Sequence, residues 1–359
     1  MKVVCFHLYN DFSGSPKVLR MVLEGVTAKN IHVELVTSRG RGALSELSKY
    51  GVRIFTYPYR FSQNPVLTMI RYVGVQFYLF FFALRYAFSQ QTIFYINTIL
   101  PIGAAIAGRL IGKQVIYHYH ENAFVKGAFY KLLARAMQML ASRIICVSEY
   151  QRSFLRRQKN VHVVPNAVPV DFVQRLSPSS NEAFDRKCIL MLGSLKRYKG
   201  IFVFMDLAKQ LPDYSFELVL NENAENVSLF RQENHIGSIR NLKVYSRQTD
   251  VAPFYNRASV VLNLSNKDLF IETFGLTALE AMSAGLPVIV PTVGGIAEMV
   301  ENGVNGYKID CSDLESIEEH IRQLLSNKDL YCRLSDNAFH VAHKYKEQAM
   351  IDKIAFYFH

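Results

Sequence analysis

Short apolar runs recur along the chain, and most of them are followed by a turn and then by a helix-like pattern. Lys2–Tyr9, Ile31–Thr37 and Val52–Tyr57 have the length and composition of buried strands. Strands that alternate with helices predict a parallel sheet, because the crossover between two parallel strands is usually a helix. The sequence therefore indicates an α/β fold.

The chain has 359 residues, half of them apolar, which is enough for two domains that each have a core. Ser177–Ala183 is rich in serine, proline and polar residues and is typical of a linker. We therefore predict a first domain over residues 1–176, a linker over residues 177–186 and a second domain over residues 187–343.

The cysteines and the N-terminus both favour a cytoplasmic protein. The cysteines are scattered singly, with no spacing typical of a zinc site or a disulfide framework. They are Cys5, Cys146, Cys188, Cys311 and Cys332. The first residues form a strand-like run that ends in a polar turn, which is unlike a signal peptide. We expect a reducing compartment.

Positive charge is concentrated in the first half of the chain. The net charge is +11, yet residues 187–359 are slightly acidic, so the excess lies in residues 1–186. Such a surface attracts nucleic acid or anionic lipid. Because the sequence contains no recognisable nucleic-acid-binding motif, we expect no nucleic-acid partner and favour a membrane surface.

From Val66 to Phe88 the sequence is strongly apolar and aromatic, with Arg71 and Arg85 inside it. Its uncharged part, Tyr72–Leu84, is shorter than the roughly 20 residues that span a bilayer, so we expect no membrane crossing. Two interpretations stay open: a buried helix of the first domain, or a helix in the membrane interface. The basic first half favours the second. A further cationic patch, or simply a solvated helix face, is formed by Arg152, Arg156, Arg157 and Lys159.

The most informative stretch is Phe270–Val290. Apolar residues at helical spacing predict a short helix over Thr277–Ala284, and Leu286–Val290 is a buried strand. The N-terminus of such a helix offers backbone N–H groups to an anion, for which a phosphate is suited. The residues at that N-terminus are Thr273, Phe274, Gly275 and Leu276.

Two carboxylates flank this predicted anion site. Glu272 precedes the helix and Glu280 lies within it, and a carboxylate can accept hydrogen bonds from two sugar hydroxyls. A structural interpretation competes, since Thr277 and Glu280 also fit a capping box and Glu272 fits an ordinary loop.

A second anion-binding pattern follows the predicted strand Cys188–Leu192. Gly193–Gly200 combines terminal glycines with Lys196, Arg197 and Lys199, and a helix is predicted from Ile201. A glycine-containing basic loop between a strand and a helix predicts a cradle for a diphosphate.

Two strand ends in the first domain carry further candidates. The strand Gln114–His120 ends in His118, His120 and Glu121, and alternation places the two histidines on one face. They are either ligand-binding groups or core histidines. Gly14, in the loop after the first strand, either lets the backbone approach a ligand or makes a tight turn.

Together these motifs resemble the E-x7-E motif of family 4 glycosyltransferases, which are retaining enzymes with the GT-B fold. The match comprises Glu272, Phe274, Gly275, Glu280, Ala281, Gly285 and Pro287, and continues into Gly294, Gly295, Glu298, Asn302-Gly303 and Asn305-Gly306. The resemblance implies two Rossmann-like domains that face each other across a cleft, with the donor in the second domain and the acceptor in the first. It also implies that the final helix, residues 344–359, packs back on the first domain.

The resemblance also assigns roles to individual residues. Glu272 would hold the hydroxyls of the donor sugar, and Glu280 would hold the ribose. His120 would lie beside the reacting carbon, with His118 and Glu121 on the acceptor side, although the family more often has aspartate where this chain has Glu121.

The loop after the first strand and the predicted diphosphate cradle both depart from the family's pattern. Lys199 matches the family's lysine, whereas Ser194 stands where an arginine is usual, so that Arg197 or Lys196 would supply the second charge. Gly14 stands where the family usually has two glycines, and it is assigned to the donor side.

No Asp-x-Asp motif occurs in the sequence, so we expect neither a metal nor another cofactor. Charge on the departing diphosphate would be met by Lys199, Arg197 and backbone N–H groups. The predicted function is a retaining hexosyltransferase that uses a nucleotide sugar.

The basic, aromatic first domain points to a lipid-linked glycan acceptor, as in the synthesis of bacterial envelope or capsule polysaccharide, O-antigen or lipopolysaccharide. The enzyme would then lie at the inner face of the plasma membrane. Two alternatives stay open. A sugar-nucleotide 2-epimerase of similar fold would release free sugar without an acceptor. An inactive scaffold would bind only membrane or nucleotide, and Ser194 is the one residue that favours it.

Overall fold

The structure is a computed structural model that describes residues 1–62, 64–156 and 159–359. The chain forms two compact units. The first comprises Met1–Asn166 together with Glu347–His359, and the second comprises Ala167–Lys346. The chain therefore enters the second unit at Ala167, before the position predicted from the sequence.

The first unit is built around a parallel sheet. Among the residues described, this sheet has seven strands in the order β3-β2-β1-β4-β5-β6-β7. They are β1 (Lys2–Phe6), β2 (His32–Ser38), β3 (Arg53–Tyr57), β4 (Thr92–Asn97), β5 (Gln114–Tyr119), β6 (Arg143–Cys146) and β7 (Val161–Val163). The chain order changes direction between β1 and β4, and a switch point of this kind is where open α/β sheets bind ligands.

Helices cover both faces of this sheet, since every residue from Val3 to Phe6 in the central strand β1 is fully buried. The helices are α1 (Gly14–Ala28), α2 (Pro65–Leu84), α3 (Ile102–Leu110), α4 (Ala128–Leu140), α5 (Glu149–Ser153) and, from the end of the chain, α15 (Glu347–Phe356), with a 3₁₀ turn over Leu47–Tyr50. The C-terminal helix α15 lies in the first unit, where Ile351 packs so closely on Gly25 that a Cβ there would approach its side chain to 2.4 Å.

Helix α2 is apolar on two opposite sides. One stripe, Tyr72, Val75, Leu79, Phe82 and Ala83, is buried in the first unit. The other stripe is exposed and comprises Val66, Ile70, Val73, Phe77 and Phe81. By length and composition alone α2 could cross a membrane, a property that it shares with core helices of soluble proteins. The alternative of a buried helix is thus right for one side of α2 only, and an interfacial position for the other side stays a prediction.

The second unit contains a second parallel sheet. In the described part of this unit the sheet has six strands in the order β10-β9-β8-β11-β12-β13. They are β8 (Cys188–Gly193), β9 (Ser215–Leu220), β10 (Leu242–Tyr245), β11 (Val260–Leu262), β12 (Val288–Val290) and β13 (Gly306–Lys308). Its switch point lies between β8 and β11, two strands that are neighbours in the sheet but distant in the sequence.

The second unit also contains helices of very different lengths. They are α6 (Val170–Val173), α7 (Ser180–Arg186), α8 (Ile201–Gln210), α9 (Ala224–Glu233), α10 (Ala252–Arg257), α11 (Leu276–Ser283), α12 (Gly295–Glu298), α13 (Leu314–Ser326) and α14 (Lys328–Ala342), with 3₁₀ turns over Arg197–Lys199 and Ile236–Ser238. The predicted helix at residues 277–284 corresponds to α11, one residue earlier in the chain.

The predicted linker over residues 177–186 is wrong. Most of it forms α7, whose Ala183 and Phe184 are buried, and the Phe184 ring lies 5.5 Å from the ring of Tyr331 in α14. Serine and proline at its start resemble a linker, but the apolar face that follows gives the helix a packing surface.

Several predicted loops and strand ends also differ. Gly14 belongs to the first turn of α1 rather than to a loop, and Pro16 is tolerated there because its missing N–H would have no partner. β1 ends at Phe6 and β5 ends at Tyr119, so each strand is shorter than predicted at its carboxyl end. His7 and His120 lie just past these two ends, at the carboxyl edge of the first sheet.

Candidate functional site

Two loops meet at the carboxyl edge of the second sheet, one after β8 and one after β11. The backbone N–H of Asn266 donates to the carbonyl of Tyr198 at 2.8 Å and joins the loops directly. Gly200 has φ +77°, and a Cβ there would lie 2.1 Å from the carbonyl oxygen of Leu264. Only glycine allows this approach, so the Gly193–Gly200 loop is fixed against the stretch that contains Glu272.

The centre of this site is an ion pair between Lys199 and Glu272. Lys199 Nζ lies 2.5 Å from Glu272 Oε1, and the two side chains are 18% and 16% exposed. Ser265 Oγ donates to the same oxygen at 3.1 Å, and the ammonium lies 4.0 Å from the centroid of the Phe270 ring. Ser265 and Phe270 thus both hold the pair in place.

The charge state of Glu272 follows from this pairing. Burial alone would raise the pKa of the carboxyl group, but the nearby Lys199 ammonium and the hydrogen bonds from Ser265 and Asn263 lower that pKa below its usual value. Glu272 is therefore a carboxylate at neutral pH. It can accept hydrogen bonds from ligand hydroxyls while it holds the lysine in place.

Helix α11 begins beside this pair. Its N-cap is Gly275 at φ +90°, where a Cβ would lie 2.4 Å from the side chain of Ile296. The first intrahelical hydrogen bond runs from the N–H of Ala278 to the Gly275 carbonyl at 3.1 Å, so the N–H groups of Leu276 and Thr277 lie ahead of it. The helix dipole adds partial positive charge here, which suits an anion.

The loop after β12 supports the same stretch. The N–H of Gly295 donates to the Glu272 carbonyl at 2.9 Å, and a Cβ at Gly294 would lie 2.5 Å from that oxygen. Phe274 is buried and packs edge-on against Tyr345 at 5.8 Å, so it can offer a ligand only its backbone. These glycines keep the Glu272 backbone in place.

Glu280 does not close a capping box with Thr277. Its Oε2 accepts a hydrogen bond from the hydroxyl of Tyr255 at 2.6 Å, and the cap of α11 is a glycine without a side-chain bond. Burial first, and the Glu280 charge second, raise the pKa of Tyr255 well above its usual value, so the tyrosine remains a donor. Tyr255 thus orients a half-buried carboxylate on α11.

The remaining cradle residues are less enclosed. Lys196 and Arg197 are exposed, and the Arg197 guanidinium lies 5.5 Å from the ring of Phe202. Ser194 is half-buried, and its carbonyl accepts from the Lys196 N–H at 2.7 Å. A Cβ at Gly193 would meet nothing closer than 3.7 Å, so no protein atom requires a glycine there.

The first unit has a separate polar cluster at its own switch point. His118 and His120 lie on one side, as alternation predicts, with ring centroids 4.1 Å apart. His118 is fully buried and its Nδ1 is 2.6 Å from the Tyr95 hydroxyl, which is the arrangement of a core histidine rather than of a direct acceptor contact. His120 is half-buried, and its Nε2 lies 3.0 Å from Asn97 Oδ1.

Glu121 stabilises the backbone of its own neighbourhood. Its Oε2 accepts from the N–H of Ile99 at 3.3 Å, and burial raises the pKa of the carboxyl group although Lys126 acts against this. Gly14 adopts a helical backbone that any residue could adopt. The assignment of Gly14 to the donor side and of Glu121 to the acceptor side stays a prediction.

Within the part of the chain that the structure describes, no group of three or more His, Cys, Asp or Glu side chains is arranged to hold a metal ion. Of the sequence candidates, Lys199, Glu272 and the start of α11 come together in one place. The supporting residues that sequence reasoning missed are Ser265, Phe270, Tyr255, Asn97 and His7. Ser265 and Phe270 lie shortly before the motif residue Glu272, and this proximity is a weak sequence signal. Tyr255, Asn97 and His7 lie far from the motif residues that they support, so the sequence gives no signal for them.

Two Rossmann-like domains, each with a polar site at its switch point, are typical of α/β proteins that bind nucleotides. Family models are more specific: "Glycosyltransferase Family 4" matches residues 12–172, and "Glycosyl transferases group 1" matches residues 173–341. Together they cover nearly the whole chain, which therefore belongs to the group 1, family 4 glycosyltransferases.

Individual relatives agree with this assignment. An uncharacterised glycosyltransferase of Methanocaldococcus jannaschii is 26% identical over 68% of this chain and 67% of its own length. A poly(glycerol-phosphate) alpha-glucosyltransferase of Bacillus subtilis is 24% identical over 67% of this chain and 36% of its own length. Relatives of this chain thus act in glycan synthesis.

Solved structures establish the fold. Anabaena HepE in complex with UDP and glucose superposes with a TM-score of 0.80 over 99% of both chains, at 17% sequence identity. The predicted GT-B class with two parallel-sheet, Rossmann-like domains is confirmed.

Proposed function

We propose that this protein is a retaining, metal-independent hexosyltransferase that uses a nucleotide-sugar donor. The main support is the Lys199–Glu272 pair, which is mostly buried and whose glutamate lies just before α11 in the chain. A cation beside helix N–H groups suits a departing diphosphate, which gains negative charge as the sugar leaves. An ammonium has three donors, so Lys199 can contact the diphosphate while it still holds Glu272.

The two glutamates would divide the recognition of the donor. Glu272 would accept hydrogen bonds from the hydroxyls of the sugar, and Glu280, oriented by Tyr255, would accept them from the ribose. HepE was solved with UDP and with UDP-glucose, which supports testing UDP-sugars first. His120 in the first unit would lie beside the reacting carbon of the sugar.

A thermal-shift panel tests the donor site. We expect one nucleotide class among UDP-, GDP-, ADP- and CMP-sugars to stabilise the wild type but not Glu280→Gln. Glu319→Gln, an exposed acid on α13, is the matched control and should respond like the wild type. Stabilisation of Glu280→Gln equal to that of the wild type would remove Glu280 from the donor site.

Turnover tests the chemistry. With the stabilising donor and an acceptor, the NMR spectrum of the product should show the anomeric configuration of the donor, and EDTA should not reduce the rate. An inverted product or a rate that requires added metal contradicts the proposed mechanism. Free sugar released without an acceptor would favour the epimerase, and binding without any turnover would favour the scaffold.

The kind of acceptor is inferred from the exposed apolar stripe of helix α2. Phe77 and Phe81 are 62% and 64% exposed on the side opposite the buried stripe. A helix that is apolar on both sides normally has both sides covered, because exposed apolar area favours association. Arg60 and Arg71, linked by a 3.0 Å hydrogen bond from the Arg71 guanidinium to the Arg60 carbonyl, add positive charge at the start of α2.

An anionic bilayer fits both the apolar stripe and the charge. The aromatic rings would enter the interface while arginines contact lipid phosphates. The enzyme would then work at the cytoplasmic face of the plasma membrane on a lipid-linked glycan acceptor of envelope or capsule polysaccharide. Arg157, one residue of the predicted cationic patch, lies outside the described residues. The support for a membrane surface therefore comes from α2.

Vesicle sedimentation tests the membrane surface. Phe77→Ser combined with Phe81→Ser should weaken binding to vesicles that contain phosphatidylglycerol by about tenfold or more, since burial of one aromatic side chain contributes roughly 1.5 to 3 kcal/mol. Leu229→Ser, which changes a 54% exposed leucine of the second unit, is the control and should bind normally. Equal binding of the double variant and the wild type would contradict the assignment of α2.

A further inference from the structure

The two loops of the donor site share a second contact beside the Lys199–Glu272 pair. Tyr198 lies directly before Lys199, and Phe270 lies two residues before Glu272. The rings of Tyr198 and Phe270 are stacked, with centroids 4.9 Å apart and planes inclined by 17°. Aromatic pairs at such separations attract each other. Each loop therefore contributes one ring and one charged group to the same place.

The backbone also fixes the position of Phe270. Its N–H donates to the carbonyl of Asn266 at 2.8 Å, and the N–H of Asn266 donates to the carbonyl of Tyr198 at 2.8 Å. The Phe270 side chain is half-buried, so it packs against protein on part of its surface. Because its backbone and its ring both have partners, Phe270 presents a fixed surface to its neighbours.

The Lys199 ammonium lies over this ring. Its Nζ is 4.0 Å from the Phe270 centroid, well within the separation of about 6 Å at which a ring face attracts a cation. The distance from Nζ to the Tyr198 centroid is 6.0 Å, so Phe270 is the closer ring. The lysine side chain is only 18% exposed, and water therefore screens the attraction only in part.

A ring face holds a lysine differently from a carboxylate. The lysine stem is flexible, so the ammonium needs a contact that persists while its hydrogen bonds change partners. A second acid beside Lys199 would offset the positive charge that a departing diphosphate requires. The Phe270 ring carries no net charge. It can therefore attract the ammonium through its electron-rich face and leave that charge in place.

We propose that Phe270 is a positioning residue for sugar transfer, whose ring face holds the Lys199 ammonium in the place where the departing diphosphate gains charge. This inference rests on the proposed glycosyltransferase function. It assigns a role to a residue outside the motif match, and that residue acts on the reaction only through Lys199.

Fluorination of the Phe270 ring is the decisive perturbation. Fluorine withdraws electron density from the ring face and so weakens its attraction for a cation, while the shape of the ring changes little. With one, two and three fluorines on the ring, kcat at saturating donor should fall stepwise. The total loss should be about tenfold, the size expected of a partly desolvated contact between a cation and a ring. An unchanged kcat across the series overturns the proposal.

Phe184 is the matched control. Its ring also lies beneath a lysine, with Lys187 Nζ 3.5 Å from the centroid, but it belongs to α7 and packs against Tyr331 of α14. The same fluorinated residues at position 184 should leave kcat unchanged. Equal losses of kcat at positions 184 and 270 would mean that fluorination acts through general packing, and the positioning role would be wrong.

Ordinary substitutions give a second test. Phe270→Leu keeps an apolar side chain without a ring face and should lose kcat as the trifluorinated ring does, whereas Phe270→Tyr should retain kcat within about twofold. Because the charge on the diphosphate grows as the bond to the sugar breaks, kcat should fall by a larger factor than donor KM rises. A wild-type kcat in Phe270→Leu contradicts the proposal. If that variant does not fold, the fluorinated series still decides, since it preserves the shape of the ring.

Proton NMR of the lysine ε-methylene groups gives a readout that needs neither donor nor acceptor. A ring face 4.0 Å from Nζ should shift the Lys199 signal upfield, and the absence of that signal in Lys199→Met assigns it. Phe270→Leu should return the signal to its ordinary position. An unshifted signal in the wild type overturns this inference. Failure of the wild type to turn over any donor instead overturns the proposed function, so the two failures are distinguishable.

Discussion

Replacing Lys199 with methionine tests the centre of the donor site. The change keeps most of the side-chain volume but removes the ammonium that lies 2.5 Å from Glu272 and 4.0 Å from the Phe270 ring centroid. Removal of one preorganised donor at a developing charge typically costs about 10² to 10³ in kcat. We expect a loss of that size, measured as release of the nucleotide diphosphate at saturating donor.

The same variant should also lose stability. Breaking a fully buried ion pair costs about 3 to 5 kcal/mol, and because Lys199 and Glu272 are 18% and 16% exposed we expect about 1 to 3 kcal/mol. For a domain of this size that lowers Tm by roughly 2 to 4 °C per kcal/mol. The double variant Lys199→Met with Glu272→Gln should regain stability, since no charge is left unpaired, but not activity.

The loss of stability should depend on pH in a defined direction. In the wild type the pKa of Glu272 is lowered, so its contribution is present above the unfolded pKa and is lost as pH falls through the folded value. Without Lys199, burial raises the folded pKa, and the variant becomes less stable as pH rises through that value. The stability difference between the two proteins should therefore shrink from pH 7 towards pH 4.

One result refutes the reasoning about this site. If Lys199→Met keeps more than a tenth of the wild-type kcat while its stability falls as expected, the pair is structural and the diphosphate is held elsewhere. Measuring kcat and unfolding on the same preparations keeps the two roles separate.

Further predictions follow from the same structure. Gly200→Ala, at φ +77° and 2.1 Å from a carbonyl oxygen, should lower the unfolding free energy by about 2 kcal/mol or more. Gly193→Ala, whose Cβ would make only ordinary contacts and none closer than 3.7 Å, should leave chemical denaturation unchanged and weaken nucleotide binding in calorimetry; the reverse pattern would contradict the cradle. Tyr255→Phe removes the donor to Glu280 and should weaken nucleotide-sugar affinity by about tenfold; unchanged affinity would separate Glu280 from the ribose. Burial lowers the pKa of His118 to about 3, so stability should fall as pH drops from about 6.5, which a flat Tm profile would refute.

Much of this site follows from local sequence. Each of three features is encoded within about ten consecutive residues: the glycine-bounded basic loop, the short helix after Gly275 and the position of Glu272. Hydrophobic periodicity and turn-forming residues are enough to predict such short segments. The strand and helix order was enough to predict two parallel sheets. The resemblance then assigned the family.

Other features could not be predicted from local patterns. The linker prediction failed because Ser180–Arg186 acquires its helix from packing against α14, and its composition does not show this partner. The outward face of α2 was left undecided because both of its sides are apolar, and only the neighbouring elements determine which side is buried.

By itself the sequence determined the class of fold, the succession of strands and helices, and the motif residues that belong to a glycosyltransferase. The tertiary structure decided which of those residues meet. Lys199 and Glu272 are 73 positions apart and Asn97 and His7 are 90 apart, yet both pairs are in hydrogen-bond contact. Such contacts depend on the order of strands within a sheet, and hydrophobic periodicity determines where a strand runs but not which strand lies beside it.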